Sequence, residues 1–116
     1  MSRIVRVEVQ EFEFEARNLG RTAGVKSIGG LSYVKGAVTR IPKYAVRVET
    51  ADGCRGEYVT HWVASPSALG QTLMLAPRLI GRDAREREGI YDDLKREARQ
   101  FDHMGHGPLD IALWDW

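Results

Sequence analysis

The polar and apolar positions change rhythm along this chain, and those changes define its expected elements. From Ile4 to Glu15 they alternate, with Val5, Val7 and Val9 on one face and Arg6, Glu8 and Gln10 on the other. Phe12 and Phe14 continue in the opposite phase after Gln10 and Glu11. A β-bulge at that step would return both sets to one face, so a long, half-buried first strand is expected. Tyr44, Val46, Val48 and Thr50 alternate with Lys43, Ala45, Arg47 and Glu49, which gives a second strand. Asp52-Gly53 then signals a tight hairpin, and a third strand runs from about Cys54 to Thr60. After residue 60 the period lengthens to that of helices. Ser65 and Pro66 suit an N-cap and a first helical position, with Leu69, Leu73 and Ala76 as the apolar stripe and Pro77 as the stop or bend. Asp83 and Glu86 resemble a capping box for a second helix with Ile90, Leu94, Ala98 and Phe101 on its inner face. Asp83 with Arg87, and Asp92 with Arg96, have the spacing of favourable ion pairs, so the charge run 82–88 reads as a solvated helix start.

The last stretch is different. Gly105 to Pro108 breaks the chain, and Pro108 opens a helix that is apolar nearly all round. Leu109, Ala112, Leu113 and Trp116 share one face, while Ile111 and Trp114 occupy the other. A helix of that kind is normally covered on all sides, and its last carbonyls need partners. The expectation is a helix covered by something outside these residues. Three strands followed by about three helices give an α+β fold built on a three-stranded antiparallel sheet.

Residues 18–40 interrupt the pattern. This segment holds Gly20, Gly24, Gly29, Gly30 and Gly36, few large apolar residues, and Arg21, Lys26, Lys35 and Arg40, with Arg17 just before it. Structureless loops of this length are either functional lids or disordered, and both readings stay open. Gly24-Val25-Lys26-Ser27 has the wrong order for a phosphate loop, and no strong strand leads directly into it.

Composition narrows the function classes. The 116 residues suit a single domain able to bury roughly two thirds of its unfolded surface. A net charge of +1 offers no electrostatic case for nucleic acid or an anionic membrane. One cysteine, Cys54, excludes an internal disulfide and a cysteine zinc cluster. No apolar run approaches the ~20 residues needed to cross a bilayer, and the N-terminus lacks the apolar core of a signal peptide. A cytoplasmic protein is expected. His103 and His106 have a spacing that a continuous helix could turn into a metal pair, but Gly105 and Gly107 argue against a helix there and no third ligand is evident. Glu57 to Trp62 places polar groups at a strand end beside an aromatic, either as ordinary core or as a surface presenting His61 and its neighbours to a ligand. There is no nucleophile elbow, carboxylate metal cluster or paired acid and base, so no self-contained catalytic site is expected.

Three stretches together resemble the N-terminal capping domain of the enolase superfamily, in its mandelate racemase and muconate lactonizing branch. They are Val46 to Glu57, with its strand, Asp-Gly hairpin and glycine-bearing strand; Leu75-Ala76-Pro77-Arg78-Leu79-Ile80-Gly81-Arg82-Asp83; and Leu109-Asp110-Ile111-Ala112-Leu113-Trp114-Asp115, close to that family's Ile-Asp-Ile-Ala-Leu-Trp-Asp helix. They occur in the right order and span essentially the whole chain. The resemblance implies a domain covering residues 1–116 that caps a (β/α) barrel, with the barrel absent from these residues and supplied by the same or a companion chain. It implies Mg²⁺ in the parent enzyme, bound by barrel carboxylates, and a small carboxylate substrate that loses a proton beside its carboxylate. Acid-sugar dehydration ranks first among the implied reactions, with racemisation or cycloisomerisation next.

By position, the cap's two closing segments would be 18–40 and 58–62. The implied substrate contacts are Thr22, Val25, Lys26, Tyr58, Thr60 and His61, with no catalytic residue and no metal ligand in this chain. Glu57-Tyr58 replaces the commoner aromatic-Gly-Glu sequence after the hairpin, which leaves the substrate class open. No turnover is expected from the chain alone. The rival from another class is a stand-alone binding or homo-oligomerisation module that uses the apolar terminal helix.

Overall fold

The computed structural model describes residues 1–21, 30–60, 65–100 and 105–116. Three antiparallel strands lie in the order β1 (Ile4–Arg21), β2 (Leu31–Thr50) and β3 (Arg55–Val59). Helix α1 (Ser65–Leu75) leads directly into a 3₁₀ turn (Ala76–Leu79), followed by α2 (Arg87–Glu97) and α3 (His106–Asp115). The expected α+β arrangement of a three-stranded sheet and then three helices is what the chain adopts.

One face of the sheet carries the core. Tyr44, Val46, Val48 and Thr50 are buried, as their alternation predicts, and they meet Leu75, Leu79, Ile90, Leu94, Leu109, Ala112 and Leu113 from the helices. Each of these larger aliphatic side chains contributes about 1.5–3 kcal/mol by leaving water. The hairpin turns where expected, with Gly53 in the left-handed region at φ +87°. Its ends close through Thr50 N–H to Cys54 O and Gly53 N–H to Thr50 O.

Several expectations are corrected. The bulge is not at Gln10–Glu11, where the ladder runs unbroken from Arg6–Glu49 to Arg17–Val38. The extra residue is Val5, between the pairs Ile4–Thr50 and Arg6–Glu49. It turns Val5 out to 48% exposure and puts Ile4 on the core side with Val7 and Val9. Phe12 and Phe14 consequently stay on the opposite face, against Ile41, with the Lys43 ammonium 5.2 Å from the Phe14 ring centre.

Nor is 18–40 a loop over its described residues. Both strands run on into a two-stranded arm, with Leu19 opposite Tyr33 and Arg21 opposite Leu31. Of the glycines that suggested a loop, Gly36 serves an irregularity in the ladder. Asn18 sits at φ +62° and Gly36 at φ +81°, and the Asn18 carboxamide accepts the Gly36 N–H at 3.0 Å. Left-handed backbone is cheap for Gly and tolerable for Asn.

In α1 the buried face is Ala68, Thr72, Leu75 and Ala76, while Leu73 is half exposed. The observed stripe is rotated from the predicted one because the helix inserts a polar residue, Thr72, into the core. The capping box does not form. Asp83 accepts the Ser2 and Arg85 backbone N–H groups and pairs with Arg85 instead of Arg87. α2 therefore starts at Arg87, with Ile90, Leu94 and Ala98 buried as predicted; Phe101 lies outside the described residues. Asp93, not Asp92, takes Arg96 and also Arg82. α3 begins at His106, two residues before Pro108, so Gly107 is helical despite the expected break.

Candidate functional site

Two regions answer to the predicted site, and the structure treats them differently. At the end of β3, Tyr58 pairs with Val46 and packs half-buried against the core. Thr60 continues the strand for one residue. Its N–H donates to Tyr44 O at 3.0 Å, and its hydroxyl accepts the Tyr44 N–H at 3.2 Å. With 5% exposure, the Thr60 side chain holds the strand end in place and does not face solvent. The recess beside Tyr58, Val59 and Arg47 has a volume of about 60 Å³, against roughly 300 Å³ or more for a small-molecule pocket. By itself it has no room for a sugar acid.

The other candidates, Thr22, Val25, Lys26 and His61, lie outside the described residues, as do Trp62 and His103. Their described flanks are far apart. Glu11 lies opposite Tyr44, next to the end of β3, and Arg21 is ten residues further along β1. At the rise of an extended strand that is about 33 Å. That separation concerns the described flanks alone, Arg21 and Thr60.

A buried polar chain supports the strand end. The Tyr44 hydroxyl shares a 2.8 Å hydrogen bond with Thr72 Oγ1, and Thr72 Oγ1 lies 2.6 Å from Gly105 O. Burial pushes the Tyr44 phenol above its ordinary pKa, partly offset by the Thr72 hydroxyl. The Gln71 carboxamide accepts the Gly105 N–H at 3.0 Å. Gly105 has to be glycine, because a Cβ there would stand 2.1 Å from Gln71 Cβ. This explains Thr72 in the core: its hydroxyl joins β2 to the entry of α3.

The terminal helix is held by groups that periodicity does not reveal. Arg87 donates to Leu113 O at 3.0 Å, and its guanidinium lies 5.1 Å and 5.4 Å from the Trp114 and Trp116 ring centres. Trp116 Nε1 donates to Thr50 Oγ1, and the Glu57 N–H donates to Asp115 Oδ2. The helix lies so close to β3 that a Cβ on Gly56 would stand 2.0 Å from Ala112 O. Trp116 thus finds cover inside the chain, whereas Ile111 and Trp114 remain 43% and 60% exposed. His106 is buried edge-on to Tyr91. Burial raises the Asp110 pKa, with the nearby His106 and the Trp114 side chain acting the other way, and Asp110 Oδ1 finds no donor among the described residues.

The chemistry this arrangement can perform is limited. Among the described residues, no group of three or more His, Cys, Asp or Glu side chains could hold a metal. Asp83 and Asp93 are committed to arginines, and the Arg85 side chain holds the Asp83 carboxyl far below the usual carboxylate range. These side chains do not fit Mg²⁺. A cavity of about 620 Å³ opens on the α2 side between Arg78, Arg82, Arg96 and Arg99, distant in sequence from both candidate segments.

No family model matches the chain. Nor does any curated protein match it. Solved structures do. Over 98% of this chain and 31% of the other, it superposes on L-talarate dehydratase from Polaromonas sp. JS666, complexed with Mg and L-glucarate, with a TM-score of 0.76 and 23% identity. An enolase-superfamily member from Agrobacterium tumefaciens is 28% identical over 97% of this chain and 33% of its own, with a TM-score of 0.68. The chain carries the enolase-superfamily fold. A mandelate racemase/muconate lactonizing enzyme from Polaromonas sp. JS666 matches at TM-score 0.67 and 21% identity, over 97% of this chain and 28% of its own.

The resemblance read from the three motifs is therefore borne out, and the chain spans about a third of the length of these enolase-superfamily structures. The residues behind the third motif are those that dock α3: Leu109, Ala112 and Leu113 in the core and Asp115 on β3. Sequence spacing hides the role of Arg87 because it offers an i,i+4 partner in Asp83; its actual partners are over twenty residues away.

Proposed function

We propose that residues 1–116 form the capping domain of a Mg²⁺-dependent enolase-superfamily enzyme that acts on a small carboxylate. The observation that carries this reading is the coverage: nearly all of this chain superposes on about a third of L-talarate dehydratase and its relatives. The remaining length of those enzymes corresponds to the barrel, which the same or a companion chain supplies here. Dehydration of an acid sugar ranks first, because the dehydratase complexed with Mg and L-glucarate shares this fold. Racemisation or cycloisomerisation follows.

In this reading the chain supplies no acid, base or metal ligand. Its task is to close over the barrel mouth, exclude water and shape the pocket. Segment 22–26, with Thr22, Val25 and Lys26, and the strand end at Tyr58 and His61 meet substrate. Thr60 anchors that strand end through Tyr44. The barrel completes the pocket between the two segments. Ile111 and Trp114 supply the apolar surface on which the barrel seats.

The test is the native protein carrying this sequence, isolated from its source with an antibody against residues 1–116. The expected result is a mass several-fold above 13.1 kDa, or a companion chain of barrel size, together with Mg²⁺-dependent dehydration of an acid sugar. A 13.1 kDa protein with no companion, or turnover by the 116 residues alone, would overturn the reading.

A further inference from the structure

Along the outer face of α3 a single charge interrupts an apolar row. Gly107, Asp110, Ile111 and Trp114 fall at i, i+3, i+4 and i+7, the spacing of one helix face. Ile111 and Trp114 are exposed, and a Cβ on Gly107 would meet nothing within 4 Å, so the face is open along its length. Asp110 is only partly exposed. The Trp114 side chain hydrogen-bonds its carboxylate, but Oδ1 is buried and meets no donor among the described residues.

The neighbouring groups have other tasks. Arg87, whose guanidinium lies against the Trp114 ring, is engaged with Leu113 O. His106, one turn before Asp110, is buried and lies edge-on to Tyr91. A carboxylate drawn out of water with too few donors costs its own chain stability. An amide of the same shape would avoid that cost, so the charge has no use within these 116 residues. It gains one when a body seated on α3 brings the opposite charge. A carboxylate and a cation shut off together form a strong, directed bond, and such a pair fixes register as well as attraction.

We propose that a lysine or arginine side chain of the barrel pairs with Asp110 across this face. Ile111 and Trp114 exclude water around the pair, and Gly107 leaves room for the barrel to approach the α3 backbone. The inference rests on the capping reading and deepens it: the two apolar side chains supply area, and Asp110 fixes how the cap is oriented on the barrel.

Asp110→Asn tests it, because the amide keeps the shape and an acceptor oxygen and removes only the charge. The variant is compared with the wild type at pH 7 in two settings, the 116-residue chain and the native protein with its barrel. In the chain alone the melting temperature is expected to hold or rise. In the native protein it is expected to fall by at least about 2 °C, since the barrel's cation loses its counter-charge. If the barrel is a companion chain, its affinity for the cap falls at least about tenfold as well. A native protein that no longer folds while the chain alone still does supports the pairing in the same way. A loss of stability in the chain alone, or its failure to fold, would show that the carboxylate serves its own fold and overturns the proposal. A native protein that melts unchanged or higher overturns it too, because the amide would satisfy a neutral donor. Self-association of the native protein that Asp110→Asn abolishes would put a second copy on this face, with the same consequence. A native protein without a barrel ends both readings, whereas an active, barrel-bearing protein indifferent to Asp110→Asn ends this one alone.

Discussion

At the scale of single residues, Gly56 and Asp110 show how little of a position's role lies in its own chemistry. Gly56 is glycine because the backbone of α3 occupies the space its side chain would need; a methyl group there would stand 2.4 Å from Trp116 N. Backbone cannot give way as a flexible side chain can. Gly56→Ala is expected to destabilise the chain by about 3 kcal/mol, read as a lower urea midpoint with an unchanged slope. An unchanged midpoint would mean that α3 is free to move off β3.

Asp110 and Asp83 shift in opposite directions, so they act oppositely on stability as pH changes. Asp83 is held below its ordinary value by Arg85, so its contribution is present above pH ~4 and is lost as pH falls. Asp110 is raised by burial. It favours the fold when protonated and opposes it increasingly as pH rises above ~4 toward its folded value. Asp110→Asn is therefore expected to be at least as stable as the wild type at pH 7 and to lose that advantage at about pH 3.5. Chemical denaturation at the two pH values checks this, and a variant that is clearly weaker at pH 7 contradicts it.

At the scale of elements, helix periodicity identifies which stripes are apolar and misses how the helices are fastened. α2 and α3 are joined by Arg87, which caps Leu113 O and lies against two indoles. Arg87→Met keeps the apolar stem and removes the donor and the charge. The expected cost is about 1–2 kcal/mol, with a shift in tryptophan emission as Trp114 and Trp116 lose the cation. Wild-type stability and emission in that variant would show the contact to be incidental. For the strands, alternation places Tyr44, Val46 and Val48 in the core correctly. It misplaces the bulge because periodicity reports that a phase changes, not which residue absorbs the change. Gln10–Glu11 looks like the break, but Val5 takes it, and Phe12 and Phe14 keep the other face.

For the whole molecule, the resemblance to enolase-superfamily capping domains is legible because its motifs combine turn chemistry with a docking helix. Asp52-Gly53 and the terminal apolar helix are local features with strong physical requirements, so they stand out in the sequence itself. The candidate site is less legible. Position along the chain singles out Tyr58 and Thr60, and only the fold shows that the Thr60 hydroxyl is spent on Tyr44. Since the described carboxylates are dispersed or paired with arginines, millimolar Mg²⁺ is expected to leave the melting temperature of the 116-residue chain unchanged in a thermal scan. A rise with Mg²⁺ that Ca²⁺ or salt does not reproduce would reveal a metal site in this chain.

Sequence by itself determined the order of elements, the core faces of β2, α2 and α3, the hairpin at Gly53 and the family resemblance. These depend on interactions between residues near in sequence, where period and turn chemistry dominate. Tertiary structure alone decided that the glycine-rich stretch continues as strands to Arg21 and from Leu31, that Thr72 belongs in the core, that Arg87 fastens α3 and that Asp83 serves the N-terminus. Each depends on a partner distant in sequence, or on space left by another element. No local pattern encodes that, because the same side chain suits several partners until the chain has folded around it.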